Sequence, residues 1–243
     1  MRHLEITGDA GSAHLDRIPT GWSVDLDGVG DGAEAVDVLR TALDAVARAG
    51  GGLARLWVRR GDPATGAAAE ELGLREERSL HQLRRPLPVG EPWSLDVRPF
   101  VVGQDEGAWL DVNNRAFSWH PEQGGWTLED LEERTAEPWF DPEGFLLHEE
   151  DGRLVGFCWT KEHHDVDPKL GEIYVIAVDP AAGRKGLGRP LTLAGLDHLH
   201  GRGLTVGMLY VDGGNAAGLA LYDRLGFTID HTDVAWTTEV APA

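Results

Sequence analysis

The chain has 243 residues, 42% of them hydrophobic and 26% charged, and a formal net charge of −19. That hydrophobic share supports a real core, no apolar run is long enough for a transmembrane helix, and the acid excess argues against nucleic acid, whose phosphates require a basic face. Cys158 is the single cysteine, so no intrachain disulfide forms, which fits a reducing cytoplasm.

The amino terminus, MRHLEITGDAGS, lacks the apolar core of a signal peptide. In the first 92 residues HLEIT, WSVDLD and LARLWVRR read as strands, and AEAVDVLRTALDAVARAG and AAAEELGL as helices. RRPLPVGEPW (84–93) is rich in proline and turn residues and reads as a linker. SLDVRPF then suggests a strand and DEGAWLDVNNRAF a helix. TLEDLEERTAEPWF starts a helix with Thr127 as N-cap three residues before Asp130. FLLHEE and RLVGFCWTKEH are strands joined at Asp151-Gly152, a hairpin signal. GEIYVIAVDP is a strand apolar on both faces, as in the middle of a sheet. A helix over Gly186–His200, a strand LTVGMLYV, a helix NAAGLALYDRLGF and a last strand TIDHTDVAWTTEV follow. The order implies a mixed α/β sheet, with one domain over 1–92 and another over 93–243.

An internal repeat links the halves. Shifted by about 153 positions, LWVRRGDPATGAAAEELGL (56–74) lies on LYVDGGNAAGLALYDRLGF (209–227) without a gap. The helix from Ala33 falls in the same register on the one from Gly186. The chain reads as a tandem duplication with a shortened first copy.

The turn DPAAGRKGLGRP (179–190) sets glycines and cations between a strand and a helix start. A helix amino terminus offers unpaired N–H groups and partial positive charge, and glycine lets an anion approach the backbone. Gly183, Arg184, Lys185, Gly186, Leu187, Gly188 and Arg189 therefore make a candidate diphosphate cradle, and Pro190 suits a first helical turn. No Gly-Lys-Ser/Thr follows, which excludes a Walker loop, and the glycine spacing of a dinucleotide fold is absent.

This loop, placed after VDP, resembles the acetyl-CoA pyrophosphate loop of the GCN5-related N-acetyltransferases (GNAT), and the element order over 95–240 resembles that fold. VNNRAF…HPEQGGWT, AEPWFDPEG, VGFCWTKEH, LGEIYV…VDPAA and LYVDGGNAAGLALYDRLGF are similar, more closely, to the mycothiol synthase family. That resemblance implies two tandem acetyltransferase domains with catalysis in the second, acetyl-CoA as cosubstrate without a metal, and a small-molecule amine acceptor, a cysteine–glucosamine–inositol pseudodisaccharide. It also implies Glu122, Lys161 and Tyr210 as contacts to the sugar–inositol part. Two positions depart from the family pattern. Gly183 stands where Arg or Gln is usual, and Cys158 where His is expected, which puts a local substrate contact in question. The first copy's counterpart loop, LDGVGDGAEA, is flanked by Asp27, Asp31 and Glu34, which repel a diphosphate, and Ala69 falls opposite Tyr222. The first copy is expected to be a scaffold that binds no acetyl-CoA.

An amine must attack a thioester while neutral, and its reference pKa near 8 makes a modest base sufficient. Glu172 is the candidate, acting directly, through water, or by holding the ammonium. Tyr222, seven residues after the N-cap candidate Asn215, is the candidate acid for the leaving thiolate. The cofactor then runs along Asn215, Ala216, Ala217, Gly218, Leu219 and Ala220. A backbone N–H among Ile176, Ala177 and Val178 is placed to polarise the thioester carbonyl. HHDVD (163–167) lacks the spacing of a helical metal site and reads as a plain loop. Trp119, Trp126 and Trp139 either line the acceptor cleft or pack helices. Two other functions stay open on the residues alone: the same fold acting on another amine, such as an aminosugar or a peptide amino terminus, and an acyl-CoA-binding module without catalysis. The oligomeric state is left open.

Overall fold

The computed structural model describes residues 3–8, 11–119, 123–183 and 186–243. Its elements in chain order are β1 (His3–Gly8), β2 (Gly11–Ile18), β3 (Gly21–Asp27), α1 (Gly32–Arg48), β4 (Gly52–Val58), α2 (Pro63–Glu71), β5 (Arg75–Pro86), β6 (Arg98–Pro99), α3 (Glu106–Ala116) and α4 (Leu128–Thr135). They continue with β7 (Phe145–Glu150), β8 (Arg153–His163), β9 (Leu170–Val178), α5 (Gly188–Gly201), β10 (Val206–Asp212), α6 (Ala216–Arg224) and β11 (Thr228–Val240). No helix among the described residues is long and apolar enough to cross a membrane.

Contacts divide the chain into two units. The first holds Met1–Gln82, Val211–Ala216 and Ile229–Ala243, and the second Leu83–Tyr210 and Ala217–Thr228. The break thus comes after residue 82, just ahead of the proline-rich stretch and ten residues before the boundary expected at 92, and the last strand returns to the first unit. The reason lies in pairing: β11 runs antiparallel to β4 from Val234–Val58 to Val240–Gly52.

In the first unit β1, β2 and β3 form an antiparallel meander, and β3 pairs parallel with β4 across α1. β2, where no strand was expected, keeps strict alternation: Ala13 and Leu15 are buried, while Asp16 points out. Its glycine and mixed polar residues hid that pattern. β5 escaped for a related reason, since REERSLHQLRRP is too charged to read as a strand. The core packs Leu15, Trp22 and Val24 of the sheet against Leu39, Ala42 and Val46 of α1 and Ala68 and Ala69 of α2.

The second unit is a sheet in the order β10-β9-β8-β7-β6, parallel between β10 and β9 and antiparallel elsewhere. The sequence SLDVRPF yields only the two-residue edge strand β6. α4 starts at the expected cap, with Thr127 and Asp130 closing a reciprocal capping box. One face of the sheet carries α3 on an aromatic core, in which Phe100, Phe145 and Trp159 stack at 4.4 and 4.3 Å and Trp109 meets Trp159 edge-on at 5.9 Å. The other face carries α5, held close by glycine. A Cβ on Gly195 would lie 2.5 Å from Cys158 Sγ and 2.7 Å from Ile173 Cδ1.

This close approach generates a prediction. Gly195→Val should overpack the α5–sheet contact and cost about 1–3 kcal/mol. Gly107→Ala, on α3 with nothing within 4 Å of the new methyl, should gain up to about 1 kcal/mol. Urea unfolding midpoints moving in opposite directions would bear this out.

Candidate active site

The site forms where β9 changes its pairing. β10 runs beside β9 only from Val206–Leu170 to Leu209–Ile173. On the other side, the β8–β9 register shifts between Trp159–Val175 and Thr160–Ile173, leaving Tyr174 as an extra residue on β9. Such a bulge bends the strand and puts neighbouring side chains on one face. Gly171 and Ile173 accordingly meet α5, while Val175 and Ala177 join the aromatic core on the opposite face, alongside Tyr174.

The bulge also decides which backbone groups are free. Asp179 N–H donates to Val155 O at 2.9 Å, so in an antiparallel ladder Ala177 and Val175 also bond to β8. The N–H groups of Ile176 and Val178 then point the other way, where the β10 ladder has already ended. Of the three candidate backbone donors, Ile176 and Val178 face the gap and Ala177 does not, because its N–H belongs to the β8 ladder.

Beyond β9 the loop is shaped by Asp179. Its buried carboxylate receives Arg115 Nε and Nη2 at 3.1 and 2.8 Å and the Ala181 N–H at 2.9 Å. The Arg115 guanidinium holds this carboxyl below the ordinary range. Gly183 follows at φ +63°, a left-handed conformation that suits glycine better than the Arg or Gln expected there, and Gly186 takes φ +93°. Arg184 and Lys185 lie outside the described residues, as does Glu122. α5 then begins after Leu187 without any side-chain cap, so its first-turn N–H groups stay available. The corresponding start of α1 is closed: the Asp31 side chain accepts from Ala33 N–H and Glu34 N–H. Arg189 is less free than its sequence context implied, since it is ion-paired with Glu91. A Cβ on Gly188 would lie 3.4 Å from Leu221 Cδ2, so α5 starts hard against α6.

On α6, the start (Ala216, Ala217, Ala220, with Asn215 just ahead) is exposed, Gly218 and Leu219 are half-buried, and Tyr222 is the helix's one buried residue. Its ring packs edge-on to Phe227 at 5.7 Å. Burial, with the nearby Cys158 thiol, pushes the phenol above its ordinary range, so it stays protonated at neutral pH. Cys158 is itself fully buried beneath Gly195, and burial pushes its thiol up to about 12. The position therefore faces α5 rather than an acceptor cleft.

Glu172 lies on the α3 face. Its side chain is 9% exposed and bonds to His163 Nε2 at 2.7 Å. Lys161 sits opposite Glu172 in the register, yet its ammonium stands over the rings of Trp139 and Tyr174, 4.4 and 5.5 Å from their centroids. Tyr210, one residue past the end of the β10 ladder, shares this face by strand alternation from Met208, the partner of Glu172. Burial pushes the Tyr174 phenol up, and Arg134 and Glu137 act on it from beside a cleft of ≈ 240 Å³ that they line with Trp126, Asp130 and Glu133. Trp126 thus serves both packing and this cleft, Trp139 packs on Trp159 and Tyr174 without lining it, and Trp119 is 64% exposed. His163 and Tyr174 were missed as site residues. Counting alternation on from Lys161 reaches His163, but the loop after it conceals the hairpin register. Among the described residues the one cluster of metal-ligating groups, His3, Glu5 and His14, is on β1 and β2 of the first unit.

Comparison with known proteins adds the following. Residues 109–227 match the acetyltransferase (GNAT) family model. A mycothiol acetyltransferase of Thermomonospora curvata is 49% identical, over 93% of this chain and 78% of its own. That of Acidimicrobium ferrooxidans is 52% identical over 73% of this chain and 60% of its own, so the match spans less than two thirds of that relative. Among solved structures, a GCN5-related N-acetyltransferase from Sphaerobacter thermophilus superposes with TM-score 0.71 at 23% identity, covering 96% of this chain and 78% of that one, which shows the shared fold.

The Arg115–Asp179 ion pair carries its own prediction. Asp179→Asn should destabilise the protein by about 1–3 kcal/mol at pH 7, since Arg115 loses a buried anionic partner. The native carboxyl is depressed, so its contribution is present above the unfolded value near 4 and disappears as pH falls through the folded one. The stability difference between the two proteins, measured by denaturant unfolding, should shrink at acid pH.

Proposed function

The chain belongs to the mycothiol acetyltransferase family, and on that footing we propose that it acetylates the cysteinyl amine of a cysteine–glucosamine–inositol pseudodisaccharide. As a member it is an acetyl-CoA-dependent N-acetyltransferase of the GNAT fold. The observation that carries the site assignment is the coincidence, on one strand, of the ladder's end and the Tyr174 bulge. Together they open a slot in the sheet with the uncapped α5 helix and Tyr222 toward one face and Glu172 on the other.

In this reading the diphosphate of acetyl-CoA binds the α5 amino terminus, where backbone donors and the helix dipole favour an anion. The pantetheine arm continues the β9 ladder in place of β10, and its acetyl group meets the N–H of Ile176 or Val178. Glu172 takes a proton from the ammonium. The amine nitrogen then attacks the thioester carbon, and negative charge gathers on the carbonyl oxygen at that backbone donor. As the C–S bond breaks, the Tyr222 hydroxyl, still protonated at neutral pH because of its raised pKa, protonates the departing sulfur, and the new amide nitrogen loses its remaining surplus proton to solvent, which returns one to the tyrosinate. The acceptor's sugar and inositol lie across Lys161, Tyr174 and Tyr210 toward the cleft under α4, whose carboxylates and guanidinium match hydroxyl groups. Glu122 belongs to the same acceptor assignment by its place in HPEQGGW. The first copy contributes scaffold, since Asp31 occupies the donors that a second diphosphate would need.

The decisive measurement is CoA release against a panel of amines that includes the cysteinyl pseudodisaccharide. Activity confined to that acceptor supports the proposal. Activity on other amines alone overturns the acceptor, and silence on all of them overturns catalysis in favour of acyl-CoA binding. Two variants locate the site. Tyr222→Phe should lower kcat by about 10²-fold or more without weakening acetyl-CoA. Gly188→Trp should abolish acetyl-CoA binding in calorimetry by filling the narrow start of α5, and normal affinity there would refute the loop assignment.

A further inference from the structure

Glu172 presents an unusual balance for a buried carboxylate. It is packed into the sheet, yet among the described residues it has a single hydrogen-bond partner, His163 Nε2 at 2.7 Å. The obvious alternative partner declines the role: Lys161 stands directly opposite in the register, but its ammonium is committed to the Trp139 and Tyr174 rings and forms no ion pair among the described residues. A buried charge without a partner is costly, so this one contact decides how the carboxylate sits.

The chemistry of the contact fixes its direction. An ionised carboxylate only accepts, so Nε2 must carry the proton, and Oε2 is the oxygen it occupies. Oε1 has no partner among the described residues. His163 itself is anchored at the end of β8, paired with Leu170 across the hairpin, and its side chain is 24% exposed. Its rigid ring on a paired strand therefore clamps one oxygen of Glu172 and leaves the other turned to the acceptor face. The surrounding charges, Lys161 and Tyr174 on the two strands, Tyr210 on β10 and Arg134 and Glu137 by α4, leave that Oε1 lone pair unclaimed.

We infer that His163 is a positioning residue for the transfer: its Nε2–H holds Oε2 of Glu172 so that Oε1 alone receives the proton of the acceptor amine. This rests on Glu172 acting as the base. In the step, an N–H bond of the ammonium breaks, its proton passes to Oε1, and the freed lone pair attacks the thioester carbon, while the imidazole keeps its own proton throughout.

The test is a double-mutant cycle on the full chain, read by steady-state CoA release. His163→Leu should lower kcat by about 10²-fold while leaving the KM for acetyl-CoA unchanged, because a base displaced by even an ångström loses its line to the amine. In a Glu172→Gln background the same substitution should cost nothing further. His163→Gln, whose amide N–H reaches about as far as Nε2, should recover most of the lost rate, and His163→Asn, which is too short, should not. A merely structural role would treat Asn and Gln alike, so that contrast decides the matter even where the Leu variant fails to fold. Equal losses from His163→Leu in both backgrounds, or Asn and Gln of equal activity, would overturn the inference alone. Full activity of Glu172→Gln would overturn the base assignment, and this inference with it.

Discussion

The second unit is organised by one backbone constraint: a strand whose hydrogen bonds run out halfway along. Main-chain donors inside a protein are almost always paired. β9 obeys this up to Ile173, with β10 on one side and β8 on the other. Past that point one side of the strand is open, and Ile176 and Val178 have N–H groups directed into the opening. A sheet edge in the interior of a unit is a vacancy for another extended chain, and a pantetheine arm, with its own amide groups, has the chemistry to occupy it. The Tyr174 bulge makes that vacancy useful. By reversing which residues face α5 it sends Glu172 and Tyr174 to one face and leaves Ile176 and Val178 half-exposed on the other.

The two copies show that the fold does not by itself specify the chemistry. Both run strand, helix, parallel strand, helix, strand: β3-α1-β4-α2-β5 and β9-α5-β10-α6-β11. Besides the shortened first copy and the exchange of Ala69 for Tyr222, they differ at one helix start. Asp31 accepts from two N–H groups of α1 and supplies a negative charge to the helix dipole. Leu187 offers α5 neither, and the donors there remain for a ligand. An isolated uncapped helix loses on the order of 1 kcal/mol relative to a capped one. α5 tolerates that because it is anchored elsewhere, through Leu191, Leu193 and Leu196 in the core and through Gly195 against Cys158 and Ile173.

What was legible in the sequence followed from how local each signal is. The Asp151-Gly152 hairpin takes positive φ at both residues, and the Thr127 capping box forms as its spacing implies. The glycine-rich loop likewise announced a helix start, because its residues act on their own backbone. Register was not legible. The bulge at Tyr174 leaves no mark in GEIYVIAVDP, a run apolar on both faces, since it arises from how β9 pairs with β8. The contact between His163 and Glu172 was hidden by the same cause, as the two are nine residues apart across a hairpin whose length the loop residues disguise. Arg115 and Asp179, 64 positions apart, form their clamp only once α3 lies on the sheet. Cys158 shows the converse: the motif around it suggested a substrate contact, but strand parity turns its thiol toward α5.

The same parity keeps the proposed acid and the proposed base apart. Were a phenol and a carboxylate side by side, they would share one proton and neither would hold the state it needs. Here they approach from opposite faces of a sheet. Tyr222 is sunk among Phe227 and Cys158, in surroundings that penalise a phenolate and so keep its proton in place. Glu172 is comparably buried, and its carboxylate meets His163 Nε2 at 2.7 Å. The two side chains thus sit in different surroundings at the stretch of β9 where the β10 ladder ends and the Tyr174 bulge begins, which is what the proposed division of roles between them requires.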